Sequence, residues 1–357
     1  MPTSIIIVGF LFCAYFVFDF FTRYSGIVLL EFKNCFLLYA IFFVGLHIEF
    51  SKKNLKYILK NYIFTITTIS ILGIVEYLFP SIMSEIFNNK GNQNIIQVDL
   101  LFERVAFLFW GSHLAANLIP PIFPIIIYLR SEKTEVIQNK LILTSVIFIN
   151  LYAIYLSGNR ISWLIITIYL LLILFIYNDK IMPYVKTYSL IITISFVVYI
   201  YSQPVEGRYI STFLALTGKI DKRYDSSSAE RLYRAEVALN SIKNKPMGTG
   251  WGSQGWVHSD ILQIGASLGV ITAFIFLMGQ IHLLFNIYIT LKKSSPQLQN
   301  GLFLCISLML YTLISFLLNG NILKVQTGAP LFLAWIISYG FYMHIKSFEM
   351  KTKSYNA

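Results

Sequence analysis

The 357-residue chain is 56% hydrophobic and only 13% charged, with a mean hydropathy of +0.66. Globular proteins average roughly 45–50% apolar and about 25% charged residues, so a soluble fold of this size could not cover its surface, and the soluble classes are excluded. The net charge of +11 is, in a polytopic membrane protein, a topological signal and not a nucleic-acid footprint.

A membrane span needs about 20 mostly apolar residues. Runs of that kind predict ten spans: 4–22, 29–48, 58–79, 105–128, 141–158, 161–177, 187–202, 260–290, 301–319 and 329–345. Glu31 and Lys33 interrupt the start of the second. The first lacks a basic flank and a small-residue cleavage site, so it reads as a retained span and not a signal peptide. The fifth and sixth are separated only by Ser157-Gly158-Asn159-Arg160, which predicts a tight hairpin with Arg160 at its tip. The expected fold is therefore all-α: a single integral-membrane domain with about ten transmembrane helices. Cys13, Cys35 and Cys305 sit in or beside apolar runs without any CxxC pattern, so neither a disulfide framework nor a zinc site is indicated.

Lysine and arginine set the orientation. With the N-terminus inside, the short inner segments hold 14 of these cations and the short outer segments 6. Both termini are thus expected in the cytoplasm. The one long hydrophilic loop, 203–259, is then outside, and the inner loops are too short for a nucleotide-binding domain. No repeated halves are visible, which counts against a transporter built from inverted repeats.

Within the long loop, Ser227 and Glu230 fit a capping box, predicting an amphipathic helix that ends near Asn244 before Pro246. Its apolar stripe is Leu232, Ala235, Leu239 and Ile242, and Arg231 and Arg234 lie one turn apart on a neighbouring face. Such a pair can hold an anion. The turn Pro246-Met247-Gly248-Thr249-Gly250-Trp251-Gly252 follows. Its glycines allow backbone to approach a ligand closely, and no Gly-Lys-Ser/Thr makes it a P-loop. His258 stands just before the eighth span, where a neutral imidazole can act as a base. Of the other histidines, His47 and His344 lie near span ends, while His113 and His282 lie within spans. Gly265 and Gly269 form a GxxxG pair, a signal of close helix packing. Asp19, Glu31, Glu49 and Glu76 fall near span ends, without a proton-relay ladder through the bilayer centre.

These pieces together resemble the bacterial O-antigen polymerase/ligase superfamily. They are Arg104, Gly111 and Asn117 in ERVAFLFWGSHLAANL, SGNR ending at Arg160, AERLYRAEVALNSIKNKPMGTGWG, and HSDILQIGASLGVI beginning at His258, spread over roughly residues 100–275. The resemblance implies a metal-independent, cofactor-free glycosyltransferase of the bacterial inner membrane that acts on undecaprenyl-diphosphate-linked oligosaccharides. It implies His258 as general base and Arg160 as the arginine at the reacting diphosphate. Arg104, Arg231, Arg234 and Asn117 would bind donor or substrate. The expected activity is an inverting polymerase that moves the growing glycan onto a new lipid-linked repeat unit. A ligase that moves the finished polymer to lipid A-core is the alternative. A lipid-linked oligosaccharide flippase, or a structural scaffold for polysaccharide assembly, represents other classes. Membrane lipid and a chain-length regulator are the expected partners, with no nucleic acid.

Overall fold

The computed structural model describes residues 3–23, 26–47, 52–79, 116–133, 138–176, 226–253, 257–319 and 325–355. Among the described residues every regular element is a helix: α1 (Thr3–Arg23), α2 (Gly26–Gly45), α3 (Lys52–Leu78), α4 (Ile122–Ser131), α5 (Lys140–Ser157), α6 (Arg160–Ile176), α7 (Ser226–Asn244), α8 (Asp260–Leu268), α9 (Val270–Lys293), α10 (Pro296–Leu318) and α11 (Val325–Tyr355). Seven of these helices are long and apolar enough to cross a membrane. The protein is a multi-pass membrane protein. The expected seventh span, 187–202, lies outside the described residues.

The chain divides into two compact units. One comprises Met1–Glu49, Ile194–Ser294 and Leu308–Ala357, and the other Phe50–Thr193 and Ser295–Ser307.

In the first unit, aromatic side chains fill the space where α2, α9, α10 and α11 meet. Phe42 lies 4.4 Å from Trp335 between ring centroids, Phe276 5.3 Å from Phe316, and Phe316 5.6 Å from Phe332. Lipid tails are as apolar as these rings, so close packing and dispersion hold such a bundle together more than water exclusion does. Glu31 and Lys33 do not break the second span, because α2 runs through both from Gly26 to Gly45.

In the second unit, polar side chains join the helices. Asn150 on α5 accepts a hydrogen bond from Ser70 at 2.8 Å and donates one to Thr67 at 3.0 Å, both on α3. Each such bond in a membrane bundle is worth roughly 0.6–2 kcal/mol. At the start of α3, Lys52 and Lys56 each lie 2.8 Å from Glu132, just past α4. Burial opposes the charge of Glu132, yet the two lysine ammonium groups outweigh it and hold the carboxyl below the usual carboxylate range.

Two expected spans are not single helices. The run 105–128 is described only from residue 116, and residues 117–121 form a turn before α4. Pro120 and Pro121 supply no N–H donors, and a proline pushes the residue before it out of the helical region. The run 260–290 breaks at Gly269, whose φ of 90° and ψ of 154° separate α8 from α9. A Cβ on Gly269 would meet the Met247 carbonyl at 2.9 Å. The backbone freed at the break is satisfied from outside the helix, where Val270 N–H donates to Pro246 O at 2.9 Å. Interrupted helices survive at membrane depth when other protein groups supply those bonds.

Candidate active site

Helix α7 begins at Ser226, one residue before the expected cap, and ends at Asn244 as expected. The face it packs on α8 shares Ala235 and Ile242 with the apolar stripe in the sequence, but not Leu232 and Leu239. Leu232 and Leu239 are exposed, at 52% and 53%, whereas Ala238 is fully buried against Val257 and Ala266, with Ile242 and Leu262 packed around them. Arg231, Arg234, Ala235, Ala238 and Ile242 recur at helical spacing along this inner face. Arg231 is therefore on the packed face itself. The reason is steric: alanine lets two helix backbones approach where leucine holds them apart. Gly265 of the GxxxG pair serves the same approach, since a Cβ there would meet Ile242 at 3.0 Å.

The direction of docking follows from the two ends of α7. Past its C-terminus, Pro246 bonds Val270, while Ala238 packs on Val257. Arg234 and Arg231 stand one and two turns before Ala238, toward the N-terminal end of α7. Arg234 is half-exposed and reaches Glu230 at 3.6 Å.

The glycine-rich turn is occupied by the protein itself. Gly248, Gly250 and Gly252 all have positive φ (88°, 91° and 70°), a region that costs a side-chain-bearing residue roughly 1–2 kcal/mol. Thr249 and Gly250 N–H groups donate to Ala266 O and Ser267 O at 2.9 and 2.7 Å, capping the last turn of α8. Trp251 N–H donates to the Asp19 carboxylate at 2.5 Å, and Gly252 N–H to the Glu31 carboxylate at 2.8 Å. Asp19 is fully buried and also holds Arg23. Tyr15 donates its hydroxyl proton to Met247 O, and the Trp251 ring sits edge-on to Phe12 and Phe32. The close approach expected of a ligand is thus made by α1, α2 and α8. The sequence signal for this was present, since intramembrane carboxylates require partners, but nothing local identified the partner.

His258 is half-buried between two anchored neighbours. Val257 N–H donates to Gln263 Oε1 at 2.9 Å, and the Gln263 amide in turn donates to Ser267 at 3.3 Å. Ser259 caps α8 by accepting from Leu262 N–H at 3.4 Å, and Asp260 N–H donates to Asn319 O at 3.2 Å. The imidazole thus leaves a backbone pinned on both sides.

The second unit holds the other candidates. Gly158, with φ 63°, ends α5 in the left-handed conformation, and Asn159 caps α6 by accepting from Ile161 and Ser162 N–H groups at 3.0 and 3.1 Å. Arg160 opens α6 directly behind that cap, and its side chain lies outside the described residues. Asn117 is buried, and its carbonyl oxygen accepts from the Asn159 amide at 2.9 Å. Ser162 donates to Ala116 O at 2.8 Å, so the turn before α4 is bonded to this corner twice. Arg104, Gly111 and His113 lie outside the described residues. Arg231, Arg234 and His258 are gathered around α7 and α8, and Asn117 and Arg160 around the α5–α6 corner. Among the described residues, no three His, Cys, Asp or Glu side chains are grouped as metal ligands.

Residues 145–277 match the family model described as O-antigen ligase, Wzy_C. Over these residues the chain is similar to the O-antigen ligase family. The O-antigen ligase match takes in most of α5, all of α6, α7 and α8, the glycine-rich turn, His258 and the first turns of α9. It leaves out α1 to α4, and with them Asp19, Glu31, Arg104 and Asn117. No curated protein matches the chain.

Proposed function

We propose that the protein is an inverting membrane glycosyltransferase of polysaccharide assembly, using an undecaprenyl-diphosphate-linked oligosaccharide as donor. The observation that carries this reading is the O-antigen ligase match across the α5–α6 corner, the α7 arginines and His258. The packing of α7 on α8 supports it, because the helix that carries Arg231 and Arg234 lies against the helix that His258 precedes.

The chemistry suits these groups. A sugar hydroxyl of the acceptor gives its proton to the His258 imidazole as its oxygen attacks the anomeric carbon of the donor. The bond from that carbon to the diphosphate oxygen breaks, and its electron pair leaves on the diphosphate. Arginine guanidinium groups neutralise the charge that develops there through charge-assisted hydrogen bonds. Arg160, Arg231 and Arg234 are assigned to this role, with Arg104 and Asn117 in donor binding. The donor brings its own leaving group, so no nucleotide or cofactor is needed, and His258 and the arginines act without a metal.

The acceptor is a lipid-linked repeat unit, which makes the protein an O-antigen or capsule-type polymerase of the bacterial inner membrane. Both termini lie in the cytoplasm and residues 203–259 on the outer side. A chain-length regulator is the expected protein partner. The name of the matched family supports a second reading, a ligase that differs only in using lipid A-core as acceptor.

Replacing His258 with Ala in the parent cell and resolving the surface glycolipids on a gel separates these readings. A polymerase leaves lipid A-core carrying one repeat unit. A ligase leaves bare core, with long chains retained on undecaprenyl diphosphate. An unchanged ladder, with the same outcome for Arg160→Ala, overturns the catalytic assignment.

A further inference from the structure

We propose that Asp19 and Glu31 are positioning residues for the transfer reaction: α1 and α2 grip the backbone of the glycine-rich turn and thereby fix where α7 and His258 stand. This rests on the glycosyl-transfer reading above.

The grip has four parts, all within one unit. Asp19 accepts from Trp251 N–H at 2.5 Å, and Glu31 accepts from the next N–H, that of Gly252, at 2.8 Å. Tyr15 donates to Met247 O, and Arg23 neutralises the buried Asp19 carboxylate. A carboxylate in a membrane helix is expensive, and here two from different helices spend their charge on adjacent backbone donors. Positive φ at Gly250 and Gly252 turns those donors toward α1 and α2. A Cβ on Gly250 would overlap Arg23 and Asp19, so the contact is as close as glycine permits.

What the grip holds is the connection between the chemistry-bearing elements. Before it stands α7 with Arg231 and Arg234. After it come Val257 and His258, and its own Thr249 and Gly250 cap α8, the helix that His258 precedes. A turn free to shift would separate the diphosphate-binding arginines from the base, and displacements near 1 Å cost about 100-fold in rate. Asp19 and Glu31 lie outside the matched residues 145–277, so this arrangement extends the site to a part of the chain that the family match does not reach.

The test uses the full-length protein in lipid nanodiscs with a lipid-linked oligosaccharide as substrate. The variants are Asp19→Ala, Glu31→Met and Glu31→Gln, with Leu38→Ala as a packing control, Leu38 being fully buried and two helical turns beyond Glu31 on α2. Two readouts are taken: hydrogen exchange of the peptide spanning residues 247–253, and turnover per folded molecule. Asp19→Ala and Glu31→Met are expected to speed exchange at Trp251 and Gly252 at least tenfold and to lower kcat at least tenfold. Glu31→Gln keeps a carbonyl acceptor and is expected to restore both, and Leu38→Ala is expected to lower thermal stability while leaving kcat unchanged. Unchanged exchange in Asp19→Ala and Glu31→Met overturns the grip. Faster exchange with kcat within twofold of the parent, or loss of kcat in Leu38→Ala to the same degree, overturns the positioning role. A parent protein that forms no product from this substrate overturns the underlying reading instead, and the exchange data then decide the grip alone.

Discussion

Two glycine-containing corners, Gly158-Asn159 between α5 and α6 and Pro246–Gly252 after α7, are built on opposite plans. The first is closed mainly by its own neighbours. Gly158 takes the left-handed conformation, its N–H bonds Tyr155 O at 3.1 Å, and Asn159 caps the Ile161 and Ser162 N–H groups. The second draws its partners from 221 and 232 positions away in sequence, on Glu31, Asp19 and Tyr15. A corner closed locally can be read from its residues, whereas one closed from a distance shows only that its glycines are needed.

The sharpest way to break this contrast is Gly250→Ala. The new carbon would fall on Arg23 and Asp19, adding a steric clash to backbone strain of about 1–3 kcal/mol. The expected outcome is loss of the folded protein from the membrane fraction, or a fall in its thermal midpoint larger than that of any variant at the other corner. Asn159→Ala ranks second. It removes a helix cap worth about 0.5–2 kcal/mol and leaves the buried Asn117 oxygen without this donor. Asn159→Asp keeps the cap and loses only the amide donor, so the difference in thermal midpoint between the two variants isolates the local contribution. Gly158→Ala should be milder, about 1–2 kcal/mol for a left-handed residue carrying a side chain, because it tests conformation alone.

The smallest effect is expected at Glu132, where charge and not backbone joins two elements. The carboxyl is held below its ordinary range by Lys52 and Lys56 against the opposing effect of burial. Its contribution to stability is therefore present above the unfolded value of about 4.3 and is lost as pH falls through the lower folded value. Thermal midpoints measured between about pH 5 and pH 3 should fall more steeply in the parent than in Lys52→Met/Lys56→Met. Equal slopes would show that this ionic contact does not stabilise the fold, as is common for partly exposed pairs.

Much of the helical layout was legible because spans are long, apolar and terminated by local signals. The break at residues 158–159, the C-terminal end of α7 and the first apolar helix all rest on such signals. The resemblance at residues 100–275 was legible too, and the O-antigen ligase match at 145–277 lies almost wholly inside it. Less legible were the two interrupted spans. Pro120-Pro121 and Gly269 were visible, but an apolar run does not reveal whether other backbone waits to satisfy the broken turn. The packed face of α7 was legible only in part for a related reason: Ile242 of the apolar stripe packs on α8, but close packing there selected Ala238 in place of Leu232 and Leu239 and brought Arg231 inward.

The sequence by itself determined the membrane class, the helical fold, the spacing of the arginines and the position of His258, because these follow from composition and from hydrogen bonds within four residues. Only the tertiary structure decided that the glycine-rich turn is held by Asp19 and Glu31, that α8 and α9 are separate helices, and that α7 packs on α8 through Ala238. Each of these depends on contacts between distant segments, and the choice among the partners available is made by shape and by the demand that every buried polar group be satisfied.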